Sequence, residues 1–402
     1  MLKEAAANGD RVKVAGTGHS FTDIACTDGV LLRLFRHCRI LDVDRDARTV
    51  TVEGGLTLEA LAERLAEQGL ALSNLGDIGY QTVAGAISTG THGTGGRFGN
   101  LATQVVGVRL LLADGSVVEC SAERDREVFK AAQVGLGALG VISQVTLQCE
   151  DAFNLHAVEE PQRLDEVLDS FSGRVQDNEH FEFFWFPHTD RVFTKTNNRT
   201  HRPLAPKGRF RTWFDDMFLA NHVFGLVSRV VKRVPSLTRP LARVAGSALG
   251  RSEEVDRSDR VFLTPRLVPF VEMEYAIPRE AAPQSVRAVR DLIDGQGLLV
   301  NFPVEARAVA ADDIFLSPSY GRDTAYVAVH MFRGTDYETY FRGVEAIMKD
   351  LDGRPHWGKL HWRTAEDLRP AYPEFDRFLS VRDRLDPNRR FANGYLERVL
   401  GA

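Results

Sequence analysis

A short apolar run, Val12 and Val14, empties into Ala15-Gly16-Thr17-Gly18-His19-Ser20, and this junction constrains the chain more than any other stretch. Two glycines in a turn directly after a strand let backbone N–H groups crowd around an anion such as a pyrophosphate, because neither carries a Cβ. His19 follows at once, so an imidazole stands within reach of whatever the turn holds. An isolated Gly-x-Gly reads only as a strand-ending turn. The reading changes with a second glycine-rich segment, Gly85-Ala86-Ile87-Ser88-Thr89-Gly90-Thr91-His92-Gly93-Thr94-Gly95. There Ser88, Thr89 and Thr91 offer hydroxyls for phosphate and ribose beside His92, and Gly90 and Gly93 leave room for a planar ring. Asp77, after Leu75-Gly76, is a candidate for the same pocket and equally a plain turn aspartate.

A third glycine cluster, Gly135-Leu136-Gly137-Ala138-Leu139-Gly140, matches the Gly-x-Gly-x-x-Gly of dinucleotide-binding folds. Its context is reversed: a helix (127–133) precedes it and a strand (141–147) follows, whereas the fingerprint needs strand first. A nicotinamide site is therefore rejected. Around these motifs strands and helices alternate. Thr49–Glu53 has the period of a strand, Leu58, Leu61 and Leu65 that of a helix ended by Gly69, and Val105–Ala113 pairs through Asp114-Gly115 with Ser116–Ser121. Further on, 181–186, 272–277, 304–309 and 326–332 read as strands, and 281–294 and 337–351 as helices. The fold class is α+β, with a nucleotide-binding part over 1–151, an α+β substrate cap over 152–355, and a C-terminal segment, 356–402, that returns to the first part.

Composition excludes more than it assigns. At 402 residues the chain has room for two cores. With 44% hydrophobic and 26% charged residues it reads as globular, and a net charge of -5 gives no reason to expect a nucleic-acid partner. The four cysteines have no metal-like spacing and read as reduced thiols of a cytoplasmic protein. No His/Cys/carboxylate cluster offers a metal site, and no apolar run approaches the roughly 20 residues of a membrane span.

Together the two glycine loops resemble the vanillyl-alcohol-oxidase, or PCMH-type, FAD-binding domain in its sugar-1,4-lactone oxidase branch. Val304-Glu305-Ala306-Arg307, Asp312-Asp313, Leu316-Ser317-Pro318 and Arg354-Pro355-His356-Trp357-Gly358-Lys359 are similar to the matching stretches of gulonolactone, arabinonolactone and alditol oxidases, in the same order. The resemblance implies FAD held by Ala15 to Ser20, by Ser88 to Gly93, and near Gly140, Ile142 and His356. His19 matches the position that bonds covalently to the flavin 8α-methyl in many relatives; the alternative is a histidine packed on the ring edge. Members of the family usually carry a further strand and most of a helix before the position of Met1, so the N-terminus reads as truncated.

Glu305 and Arg307 lie two apart on a strand and so share a face, where a carboxylate and a guanidinium can hold a polyhydroxylated substrate. The resemblance assigns them to substrate binding and makes Lys359 catalytic, its charge facing a forming alkoxide or the reduced flavin. His330, inside an apolar strand, is either a satisfied core histidine or the acceptor of the hydroxyl proton. The implied activity is oxidation of a CH–OH group of L-gulono- or D-arabinono-1,4-lactone by hydride transfer to flavin N5. Oxygen, a quinone or a cytochrome is the acceptor. An alditol oxidase is the alternative, and a non-catalytic FAD-binding module is the alternative of another class.

Residues 201–251 stand apart, with ten Lys and Arg against Asp215 and Asp216, interleaved with Trp213, Phe214, Phe218, Leu219, Phe224, Leu226 and Val230. The pattern suits a basic amphipathic helix resting on an anionic membrane, but the solvated basic face of a cap helix is the preferred reading.

Overall fold

The computed structural model describes residues 2–208, 224–247, 250–264 and 268–402. Trp213, Phe214, Phe218 and Leu219 lie outside these residues.

Three of the four sheets among the described residues organise the fold; the fourth is the short pair Leu70–Ala71 and Glu150–Asp151. Val12–Ala15 pairs in parallel with Val30–Arg33. Parallel strands need a crossover, and residues 16–29 supply it, so the first glycine turn leaves the carboxyl end of a parallel strand. A five-stranded antiparallel sheet follows in the order Ile40–Asp44, Thr49–Glu53, Val141–Gln148, Val105–Leu111, Val117–Ser121. The helix Leu58–Glu67 buries Leu58, Leu61 and Leu65, as its spacing requires, and Thr57 caps it by accepting from the Ala60 N–H.

The third sheet has eight antiparallel strands: Ser252–Arg257, Asn154–Arg163, Arg191–Thr200, His180–Trp185, Val304–Val309, Thr324–Phe332, Phe270–Pro278 and Arg354–Pro355, in that spatial order. Side chains alternate across a strand. One face, with Phe181, Phe183, Met273, Tyr275, Ala306, Val327 and Val329, packs with Val286, Val289 and Ile293 of the helix Ala282–Gly295 and Phe341 and Val344 of the helix Glu338–Asp350. The other face carries Glu182, Glu272, Glu274, Glu305, Arg307, Tyr326 and His330, all of them at most partly exposed.

That polar face is covered because the C-terminal segment turns back. Leu368, Tyr372, Phe375, Phe378 and Leu396 share a core with Leu61, Leu65, Val108 and Val145. Backbone bonds stitch the return: the Phe21 N–H donates to the Gly358 carbonyl (2.7 Å) and the Val12 N–H to the Arg390 carbonyl (2.6 Å). Among the described residues no helix is long and apolar enough to cross a membrane.

Candidate active site

The glycine turn is built to hold an anion. Gly18 sits at φ 83°, a left-handed conformation that disfavours a Cβ. Among the described residues the N–H groups of Thr17, Gly18, His19 and Ser20 meet no acceptor, so the turn presents a row of open donors. Beside it lies a cavity of about 290 Å³ walled by Ala15, Gly16, Thr17, Gly55, Leu56, Thr57 and Thr82, with Arg33 and Arg64 among its lining. A Cβ on Gly16 would stand 2.7 Å from Thr82 Oγ1. Open donors, nearby cations and walls without bulk fit the phosphate-bearing part of FAD.

His19 is exposed and lies parallel to Tyr80 at 6.3 Å. Burial, and then the charge of Lys359, hold its pKa below the ordinary histidine value, which favours the neutral, nucleophilic imidazole.

The second loop differs from the expectation in detail. The Thr89 hydroxyl donates to the Gly85 carbonyl (3.2 Å), closing the helix Val83–Ser88, and the Thr91 hydroxyl accepts from Gln81 Nε2 (3.3 Å). Both are engaged locally, as short hydroxyl side chains at helix ends tend to be. Ser88 lends its carbonyl to the Leu136 N–H (3.0 Å), which ties this loop to the third glycine cluster. Gly140 has φ 149° and packs on the Leu111 carbonyl, and the Ile142 carbonyl lies against Gly54, next to the cavity wall at Gly55. Gly93 backs onto Leu75 and Asn74, where a Cβ would lie 2.3 Å from the Leu75 carbonyl oxygen.

His92 turns away from the cradle and into the polar face of the large sheet. It stacks on Tyr326 with ring centroids 3.6 Å apart. Its Nδ1 faces the Gly93 carbonyl (2.9 Å) and its Nε2 faces Glu274 (3.2 Å). The ring is thus held between the Gly93 carbonyl and the Glu274 carboxylate. His356 Nδ1 accepts from the Gly358 N–H (3.0 Å), and burial holds this histidine neutral, with its pKa pushed down to about 3. His92, Glu274 and His356 bring ligand-type atoms within 4.8 Å of one another, with His92 set between Glu274 and the Gly93 carbonyl and His356 accepting from the Gly358 N–H.

Register then sets the substrate side. Glu182, Arg307, Tyr326 and Ala276 stand in one row across four strands, Phe184, Glu305, Ala328 and Glu274 in the next, and His330 with Glu272 in a third. Arg307 meets Asp77 and Glu182 at 2.8 Å each and also contacts Glu305. Burial opposes its charge, and the three carboxylates outweigh burial, lifting its pKa well above normal. Asp77 is thus more than a bare turn residue: it is a counter-ion of Arg307.

Lys359 pairs with Glu272 and lies 5.2 Å from the Phe21 ring. His330 sends Nε2 toward Glu272 (3.4 Å) and Nδ1 toward the Pro303 carbonyl (3.0 Å). With both ring nitrogens occupied by acceptors it is a satisfied histidine, and it has no nitrogen left to receive a substrate proton directly. Burial opposes its charge and Glu272 raises it, leaving the pKa above normal.

Sequence reasoning missed Glu182, Glu272, Glu274 and Tyr326. The signal was present: Glu272 and Glu274 alternate with Met273 and Tyr275, as Glu305 and Arg307 alternate with Ala306.

Comparison with known proteins follows this geometry closely. Residues 145–399 match the family described as D-arabinono-1,4-lactone oxidase, and residues 1–121 match an FAD binding domain. The chain is 47% identical, over all of its length and 93% of the relative's, to an L-gulono-1,4-lactone dehydrogenase of Mycobacterium tuberculosis. It is 39% identical to an L-gulonolactone oxidase of Scyliorhinus torazame, covering all of this chain and 92% of that one. Among solved structures, cholesterol oxidase from B. sterolicum shares the fold at 18% identity, with a TM-score of 0.83 over 99% of this chain and 91% of that one.

Proposed function

The chain belongs to the D-arabinono-1,4-lactone oxidase family of FAD-dependent oxidoreductases, and from that premise we propose that it oxidises a CH–OH group of L-gulono- or D-arabinono-1,4-lactone. The observation that carries this reading is the convergence of three separate segments. The His19 turn feels the charge of Lys359, and Lys359 in turn feels Glu305 on the strand that bears Arg307.

Bound FAD supplies the hydride acceptor. Glu305, pinned by Arg307, offers a carboxylate that can accept hydrogen bonds from ring hydroxyls. The Lys359 ammonium stabilises negative charge developing on the reacting oxygen, in a region closed off by the large sheet.

The test is anaerobic bleaching of the purified yellow protein. Bleaching by L-gulono-1,4-lactone supports the reading. Bleaching by xylitol or sorbitol alone makes it an alditol oxidase, and a stoichiometric flavoprotein that none of them bleaches is a binding module. We also propose that His19 bonds covalently to the flavin, a reading supported by its depressed pKa and its place after the open N–H row.

Peripheral membrane contact, with a quinone acceptor, is supported by the helices Phe224–Arg233 and Thr238–Ser247. Leu226, Val230, Leu237 and Val244 are exposed there beside Arg229, Lys232, Arg233 and Arg243. Co-sedimentation with anionic but not zwitterionic vesicles is the expected result.

A further inference from the structure

We propose that Glu272 is a positioning residue of this site, whose buried carboxylate anchors the Lys359 amine and holds its charge at the site. The inference rests on the placement of Lys359 in the active site given above, and its own basis is geometric. Glu272 is 6% exposed. It is held from both sides: its backbone carbonyl accepts from the Leu360 N–H (2.9 Å), and its carboxylate pairs with the Lys359 ammonium and faces His330 Nε2 at 3.4 Å. Strand register fixes this arrangement, since Glu272 lies directly opposite His330. The carboxylate is thus held between the Lys359 ammonium and His330.

The same molecule holds the control. Lys13 is also buried, and its ammonium meets only carbonyls, those of Gly137 (3.1 Å) and Phe391 (3.2 Å). Burial pushes its pKa down to about 7, with only the charge of Asp386 opposing. Burial opposes the charge of Lys359 as well, although its side chain is 21% exposed, yet Glu272 and Glu274 outweigh that burial and its pKa lies above the ordinary lysine value. A lysine without Glu272 would move toward the behaviour of Lys13 and lose its charge inside the working pH range.

Other groups face Lys359 as well. Glu274 lies on the Glu272 strand, Glu305 on the neighbouring sheet row, His356 on its own segment, and His19 and Phe21 on the glycine-turn segment. His19 and His356 have depressed pKa values and bring no positive charge at neutral pH. Glu274 is already paired with His92 and Glu305 with Arg307, so Glu272 is the carboxylate in direct contact with the amine.

The experiment compares wild type, E272Q, K359R and E272Q/K359R as full-length holoenzymes, with FAD content and thermal midpoint recorded first. Two readouts are used. One is the rate of flavin bleaching by L-gulono-1,4-lactone from about pH 6 to about pH 9. The other, without substrate, is acylation of Lys359 by acetic anhydride, followed by peptide mass spectrometry over the same range. Only a neutral amine is acylated.

Wild type is expected to be flat in both. E272Q should lose rate as pH rises, approaching roughly tenfold per pH unit above the lowered lysine pKa, and should gain Lys359 acylation in the same interval. E272Q/K359R should be slow but flat, because a guanidinium keeps its charge. An E272Q profile that is scaled down without changing shape, with Lys359 as unreactive as in wild type, overturns the proposal. Should E272Q fail to fold, E272D, which withdraws the carboxylate by one methylene, must show a smaller shift of the same sign in both readouts, and no shift overturns it. If wild type bleaches with no lactone, the functional reading fails, while the acylation profiles still decide the role of Glu272.

Discussion

Replacing Glu182 by glutamine is expected to stabilise the protein at alkaline pH and to leave it almost unchanged near pH 5. Glu182 is 3% exposed and shares a single guanidinium with Asp77 and Glu305; the next cation, Lys195 Nζ, is 3.9 Å away. Burial raises its carboxyl to about 7, with Asp77 and Glu305 adding to the effect and Arg307 and Lys195 opposing it. A carboxyl whose folded pKa exceeds its unfolded value binds its proton more tightly in the fold. The contribution is complete below the unfolded pKa and is lost as pH rises through the folded one. Moving the group from 4.5 to about 7 corresponds to about 3 kcal/mol between those limits. Glutamine has nearly the same shape and never ionises, so it escapes that loss. With unfolding entropy of about 2 cal/mol/K per residue, 3 kcal/mol corresponds to about 4 °C in a chain of this length, if it unfolds as one unit. The assay is the thermal midpoint of both proteins with saturating FAD, from about pH 5 to about pH 9. A variant that is equally destabilised at every pH would show that Glu182 is ionised and firmly paired with Arg307, and would refute this reasoning.

Three further outcomes test neighbouring parts of the site. His19→Ala should still bind FAD but release all colour on acid precipitation; a pellet that stays yellow places the covalent bond elsewhere. Gly18→Ala forces a Cβ onto φ 83°, a strain of about 1–2 kcal/mol, so FAD affinity measured by fluorescence titration should fall about tenfold; an unchanged Kd means the turn does not hold the dinucleotide. Arg307→Met leaves Asp77, Glu182 and Glu305 without their shared cation, which should cost about 3–5 kcal/mol by urea unfolding at neutral pH. That loss should shrink near pH 5, where stranded carboxyls take up protons, and a pH-independent loss would mean that packing rather than charge is at stake.

The elements were legible because their periodicities are local. Leu58, Leu61 and Leu65 mark a helix, and Ala306 and Ala308 alternate with Glu305 and Arg307, whatever else the chain does. The first glycine turn was legible for a similar reason: the strand Val12–Ala15 and the glycines that end it are contiguous in the chain. Hydroxyl roles were not, since nothing in Ser88-Thr89-Gly90-Thr91 says that Thr89 will bond back to the Gly85 carbonyl.

The burial of Glu272 and Glu274 was not legible, for a deeper reason. Alternating polar and apolar residues on a strand ordinarily mean one wet face, and Glu272 and Glu274 obey that pattern perfectly. They are dry because segments distant in sequence cover them: His92 from the second loop, and His356 and Lys359 from the returning C-terminus. Covering such a face is costly unless each charge meets its opposite. The ion pairs His92–Glu274, Lys359–Glu272 and Arg307–Asp77 therefore follow from the way the chain closes on itself, and they place a fixed cation and an oriented carboxylate where the two halves of the molecule meet.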